Sequence, residues 1–180
     1  MNNVGTKEMF STRLILRKFK NDDKTELLTG YINQEEFLYY ANKEKINEID
    51  VENYLQKVIE KYSEDDYYNW AIILKESNTI IGSINLKVYN SNDSVEFNYA
   101  IDNRYTNKGY MTETLNIIKK FCLEELKVNR FQGGCCVENI ASKRVMEKCN
   151  MDCEGILKRY IKLRDGYHDM YMYSSINENI

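Results

Sequence analysis

The chain contains no proline, one tryptophan, one histidine and only eight glycines. With proline absent and glycine this scarce, no stretch reads as a flexible hinge or linker. The lone histidine, His168, cannot complete a Cys/His metal site by itself, and no metal is expected. Cysteine is odd in number, at five, so a full disulfide framework is excluded. Cys135 and Cys136 are neighbours in an apparent strand and point to opposite faces, while Cys122, Cys149 and Cys153 lack metal-ligand spacing. All five read as buried, reduced thiols behaving as small apolar residues. Neither sign of charge dominates, and a net charge of −3 gives no support for nucleic-acid binding. No apolar run is long enough to span a bilayer and no basic segment leads into one, so a soluble, cytoplasmic protein with no membrane partner is expected.

What is present fits one domain over residues 1–180, large enough for a proper core. Its organising stretch is Val95–Leu126. In Val95–Ile101 apolar and smaller or polar residues alternate with the period of a half-buried strand. Asp102–Gly109 loses that periodicity and carries Asn103, Asn107 and Gly109, residues that tolerate turns and positive φ. From Met111 the apolar residues Leu115, Ile118, Cys122 and Leu126 recur at helical spacing. A strand feeding a short loop into a helix presents unpaired backbone N–H groups where an anion can be held, and Arg104 and Lys108 add positive charge there. The same residues also suit an ordinary strand–turn–helix connection with solvated charges.

Upstream, Thr12–Lys18 reads as a strand with Arg13 and Arg17 on one face and Leu14 and Leu16 on the other. Asn21-Asp22-Asp23 can cap a helix bearing Leu27, Leu28, Tyr31 and Ile32; a second helix runs near Gln34–Ala41, and Asp50 precedes a third. The tyrosines around these helices read as core, with a pocket lining as the alternative. Trp70–Leu74 and Ile80–Val88 form a hairpin across Glu76-Ser77-Asn78. Downstream, Arg130–Val137 is a strand with Gly133 and Gly134 inside it, and Asn139 caps a helix whose stripe is Ala141, Val145 and Cys149. Asn150 can stop that helix in the left-handed conformation, and Glu154–Leu163 and His168–Ile176 flank the hairpin signal Asp165-Gly166. The order predicts a mostly antiparallel sheet flanked by helices, with the fourth and fifth predicted strands parallel across a helix.

The sequence resembles the GCN5-related N-acetyltransferases, within them the branch of ribosomal-protein N-terminal acetyltransferases and their relatives. The resemblance is carried by Thr12–Arg17, Glu96–Ile101, Asn107–Glu113, Asn129–Phe131, Asn139–Lys148 and Glu154-Gly155, in the family's order over nearly the whole chain. It implies an α+β, three-layer fold with a mixed seven-stranded sheet whose parallel strands splay apart, and an enzyme that moves an acetyl group from acetyl-coenzyme A to an amine by direct attack in a ternary complex. The amine is a protein N-terminus or a small molecule, and the assembly a monomer or homodimer. A non-catalytic acyl-coenzyme A sensor of the same fold is the alternative.

The resemblance also implies the site. Pantetheine amides bond the strand edge at Tyr99, Ala100 and Ile101, whose backbone donors polarise the thioester carbonyl. The pyrophosphate lies on Arg104, Asn107, Lys108, Gly109, Tyr110, Met111 and Thr112, and Asn139 and Ser142 contact the pantetheine arm. This loop departs from the family pattern at Asn107, where a glycine is usual, and Met146 stands where many members keep a proton-donating tyrosine. The acid role then falls to Ser142, whose other reading is a first-turn serine satisfying the backbone. Glu96 is the candidate base, because alternation turns it away from Val95 and Phe97; a structural partner of a basic residue is the second reading. His168 is the fallback.

Overall fold

The computed structural model describes residues 1–178. Its strands are β1 (Met9–Phe10), β2 (Leu14–Arg17), β3 (Tyr68–Leu74), β4 (Thr79–Tyr89), β5 (Ser94–Ile101), β6 (Arg130–Cys136), β7 (Asp152–Leu163) and β8 (Gly166–Ile176). The α-helices are α1 (Lys24–Thr29), α2 (Glu35–Tyr40), α3 (Glu48–Lys61), α4 (Tyr110–Lys120) and α5 (Ile140–Lys148). This is the expected mixed sheet with flanking helices, plus the two-residue β1, too short to leave a periodic signal. The described chain falls into two compact units, one of Asn3–Leu86 with Asn98–Tyr110, the other of Met1–Asn2, Lys87–Phe97 and the chain from Met111 onward.

In the first unit, β1 to β4 pair antiparallel in sequence order. Leu14 and Leu16 are buried, as their alternation requires. Every residue of β3 is buried, so it is a central strand covered on both faces. Helices α1 and α3 lay Leu27, Val51, Leu55 and Val58 against Ala71, Ile73 and Ile80. The start of α3 differs from expectation: Asn47 is the cap, its side chain accepting from the Asp50 amide while Asp50 accepts in return from the Asn47 amide. Asp23 likewise makes no cap bond to α1; it is buried and gripped by Arg17 at 2.7 and 2.8 Å.

The tyrosines divide. Tyr31 and Tyr68 are buried core, whereas Tyr54, Tyr62 and Tyr67 turn their hydroxyls toward Asn69. Burial raises the pKa of Tyr54 to about 12, and Tyr62 is pushed above the ordinary phenol range for the same reason.

In the second unit, β5 pairs parallel with β6 over Ser94–Glu96 and Arg130–Gln132, and β6, β8 and β7 continue antiparallel. A Cβ on Gly133 would stand 2.4 Å from the Phe97 ring, so that glycine makes room for Phe97, which stacks on Phe131 at 4.8 Å. Helix α4 buries Met111, Leu115 and Ile118, then widens to π geometry over Phe121–Leu126 before Lys127 ends it at φ 53°. The inward residue of α5 is Met146 rather than Ala141 or Val145. The last hairpin turns on Arg164-Asp165, with Gly166 already paired to Leu163. Of the five cysteines four are buried, but Cys153 is exposed on β7, correcting the reading of five buried thiols. Burial raises Cys122, Cys135 (to about 12) and Cys149 (to about 11), which keeps these thiols protonated and inert.

Candidate functional site

The loop that follows β5 is built around Asp102. This residue is fully buried, and its amide donates to the Ile81 carbonyl at 2.8 Å, tying the strand end to β4. Its carboxylate accepts from the Arg104 amide and Nε at 2.9 Å each, and from Arg104 Nη2 at 2.6 Å. Burial works against the charge most strongly, but hydrogen bonds from Arg104 and Gln34 outweigh it and hold Asp102 below the usual carboxylate range. Gln34 Oε1 also accepts from the Asn103 amide. The result is a fixed 3₁₀ turn over Asn103–Tyr105. Arg104, a candidate anion ligand, therefore has its charge largely answered by Asp102.

Beyond that turn the backbone takes positive φ twice, 58° at Asn107 and 79° at Gly109. Asn107 thus fills the place of a loop glycine in the left-handed conformation that asparagine tolerates best among ordinary residues. Among the described residues the amides of Asn107, Lys108 and Gly109 donate to no protein acceptor. Three exposed N–H groups in a row, just before the first turn of a helix, form a concavity suited to an anion. A pyrophosphate fits this donor set, with Lys108 as a cation beside it.

Reasoning from the sequence overlooked Arg13. Its Nη1 donates to the Lys108 carbonyl at 3.0 Å and its guanidinium lies 4.4 Å from the centroid of the Tyr110 ring. No local pattern could have found it, since it enters from the bend just before β2. Tyr99, Ala100 and Ile101 are half-buried on the part of β5 that lies in the first unit. There that segment runs beside β4, so closely that a Cβ on Gly82 would stand 2.3 Å from the Ala100 carbonyl oxygen.

The second unit holds the candidate acid and base. Asn139 caps α5 as expected, its Oδ1 accepting from the Ser142 amide at 3.0 Å, and Ser142 is half-buried in the first turn. Met146, buried in the core, presents no group there. Glu96 Oε2 accepts from Tyr89 Oη at 3.4 Å and Gln132 Nε2 at 3.3 Å. Gln132 Oε1 in turn accepts from Arg130 Nε, and Arg130 forks onto the Glu154 carboxylate. That pairing, with a bond from Ser174, lowers the Glu154 pKa to about 2. Glu96 is therefore oriented by two neutral donors, with the Lys87 ammonium close enough to interact with its charge. His168 lies between Asp165 at 2.9 Å and Glu138 at 3.5 Å; the Asp165 bond first, then Glu138, raises its pKa, which favours imidazolium over a free base. Met111 and Thr112 open α4 in this unit, with Met111 buried. No cluster of metal-binding side chains and no membrane-length apolar helix occurs among the described residues.

Comparison with known proteins identifies the family and the fold. The acetyltransferase (GNAT) domain family matches residues 13–152. An uncharacterized N-acetyltransferase of Bacillus subtilis, YnaD, is 27% identical over 92% of this chain and 95% of its own. The ribosomal-protein-serine acetyltransferase of Escherichia coli is 27% identical over 61% of this chain and 62% of its own. A GNAT-family acetyltransferase structure from Bacillus anthracis superposes with a TM-score of 0.84 at 28% identity, covering 96% of this chain and all of that one. The ribosomal L7/L12 α-N-protein acetyltransferase RimL, solved with coenzyme A, shares the fold at a TM-score of 0.85 and 20% identity, over 97% of this chain and 100% of that one. With the family matched across most of its length, from β2 to the start of β7, the chain belongs to the acetyltransferase (GNAT) domain family, the acetyl-coenzyme A-dependent N-acetyltransferases.

Proposed function

We propose that residues 99–112 hold acetyl-coenzyme A, with Tyr99, Ala100 and Ile101 bonding the pantetheine amides as an added strand would. Arg104, Asn107, Lys108, Gly109, Tyr110, Met111 and Thr112 form the pyrophosphate loop. The observation that carries this reading is the run of undonated amides at Asn107, Lys108 and Gly109, shaped by positive φ at the first and last of them. When bound, the donor supplies the acetyl group as an activated thioester.

The chain's own residues then have three tasks. Backbone N–H groups of β5 hold the thioester carbonyl. Glu96 takes a proton from the acceptor ammonium, directly or through one water, and Ser142 Oγ gives a proton to the departing sulfur, with Asn139 fixing the turn that carries it. The acceptor is a protein N-terminus or a small-molecule amine. The family match runs through both compact units, which supports a single catalytic domain over residues 1–180. A cytoplasmic location, with no nucleic-acid or membrane partner and a monomeric or homodimeric state, completes the reading. It is tested by following free thiol release from acetyl-coenzyme A against a panel of amines and N-terminal peptides. Amine-dependent release supports it, and release that no amine accelerates overturns it.

A further inference from the structure

We infer that Gln132 is a positioning residue for Glu96: its side-chain amide holds one oxygen of that carboxylate and leaves the other to the acceptor amine. The inference rests on the reading of Glu96 as the base given above. Its ground is a row of polar side chains on one face of the sheet in the second unit. In the parallel pairing of β5 with β6, Glu96 stands opposite Gln132, and β8 sets Ser174 opposite Gln132 on the other side. Alternation puts Arg130 on the same face, two residues back along β6. Glu154 on β7 closes the row, accepting from Ser174 Oγ at 2.8 Å.

The direction of the bonds that reach Glu96 is forced. A guanidinium can only donate, and an ionised carboxylate can only accept. Arg130 gives Nη1 to Glu154 at 2.6 Å, with Nη2 on the same carboxylate, and gives Nε to Gln132 Oε1. With its oxygen taken, Gln132 has its NH₂ group left for Glu96, and Nε2 lies 3.3 Å from Glu96 Oε2. The amide cannot flip without setting NH₂ against the guanidinium and its oxygen against the carboxylate. Tyr89 Oη donates to the same Oε2 at 3.4 Å. Glu96 Oε1 takes no hydrogen bond from a described residue, which leaves it to a substrate ammonium or a bridging water. The exposed Lys87 ammonium bonds to Tyr89 and reaches Glu96 only through its charge. Gln132 thus carries the orientation set by Arg130 to the base without bringing the arginine's charge onto it. A direct ion pair would hold the carboxylate against protonation, whereas a neutral donor holds it in place and leaves it able to take a proton.

The test follows thiol release from acetyl-coenzyme A with the most active amine or N-terminal peptide of the panel above, on the full chain carrying Gln132→Met, Glu96→Gln or both. A Glu96→Gln enzyme with wild-type kcat would overturn the base reading itself, and the inference with it, whatever Gln132→Met does. Gln132→Met keeps the length of the side chain and removes the amide. It is expected to lower kcat by about 3- to 30-fold, the scale of one hydrogen bond to a charged group, with the KM for acetyl-coenzyme A unchanged. Once Glu96 is already glutamine, the same change is expected to cost less than about 2-fold, because the two residues act as one unit. Gln132→Asn, which draws the amide back by one methylene, is expected to show the same pattern and replaces Gln132→Met if that variant does not fold. With Glu96→Gln impaired, three results would each overturn the assignment. A loss equal in both backgrounds makes Gln132 structural, an unchanged kcat in the folded variant shows that Glu96 needs no such hold, and a raised KM at unchanged kcat moves Gln132 to donor binding.

Discussion

Replacing Asp102 by asparagine would loosen the loop at its buried root. Asparagine keeps one oxygen, able to serve the Arg104 amide and Nε, but sets an NH₂ group against Arg104 Nη2, which now sits 2.6 Å from a carboxylate oxygen. A charge-assisted bond is lost and two donors are brought face to face, a change of roughly 1.5–3 kcal/mol for a buried pair. Arg104 is 63% exposed and recovers water, which reduces the cost to about 1–2 kcal/mol. For a chain of this size that corresponds to a Tm lower by roughly 2–8 °C. The sign of the pH dependence follows from the depressed carboxyl. Its stabilisation is complete above the ordinary carboxylate pKa and is lost as pH falls through the folded value. The Tm gap between wild type and Asp102→Asn, followed by circular dichroism from pH 7 down to pH 3, should therefore narrow on acidification. A gap that is absent at pH 7, or that stays constant as pH falls, would refute the role given to this carboxylate.

Glu96→Gln should remove the acid limb of the kcat/KM profile and lower the rate by about 10²–10⁴-fold with folding intact; a limb persisting at full slope excludes Glu96 as base. Ser142→Ala should lower kcat while leaving the coenzyme A Kd within about a factor of ten, and an unchanged kcat at every pH would make Ser142 a helix residue only. Glu154, held at about 2 by Arg130 and Ser174, contributes stability that is present above the ordinary carboxylate range and lost as pH falls toward that value. Wild type should accordingly lose more Tm between pH 5 and pH 2 than Glu154→Gln does; parallel melting curves would show that the pair carries no such linkage.

The parts of the fold that were legible in the sequence are those fixed by local chemistry. The helical stripe of α4, the Asn139 cap and the left-handed residues Asn107 and Asn150 each follow from side chains within a turn of one another. The parallel pairing of β5 with β6 follows from a strand–helix–strand order. What was not legible depends on long-range partners. Arg13 meets Lys108 across 95 residues, and Asp23 leaves its capping task for Arg17 on another element. Arg104 looked like an anion ligand because its neighbour Asp102 gave no sign of being buried. Cys153 looked like a core thiol because it sits beside a strand pattern and lacks metal-ligand spacing, yet most of that strand is exposed.

The central claim, that the 104–112 loop holds the donor's pyrophosphate, is tested most directly at Gly109. Its φ of +79° opposes a β-branched side chain, while the space around it is open, with Arg13 Nη2 the nearest atom at 3.5 Å. The cost of Gly109→Val therefore comes from the loop's conformation and its approach to the phosphates, not from the core. Calorimetry with coenzyme A should show binding weakened by about 1–3 kcal/mol in a variant whose circular dichroism remains that of the folded chain. An affinity equal to wild type in that folded variant would contradict the claim.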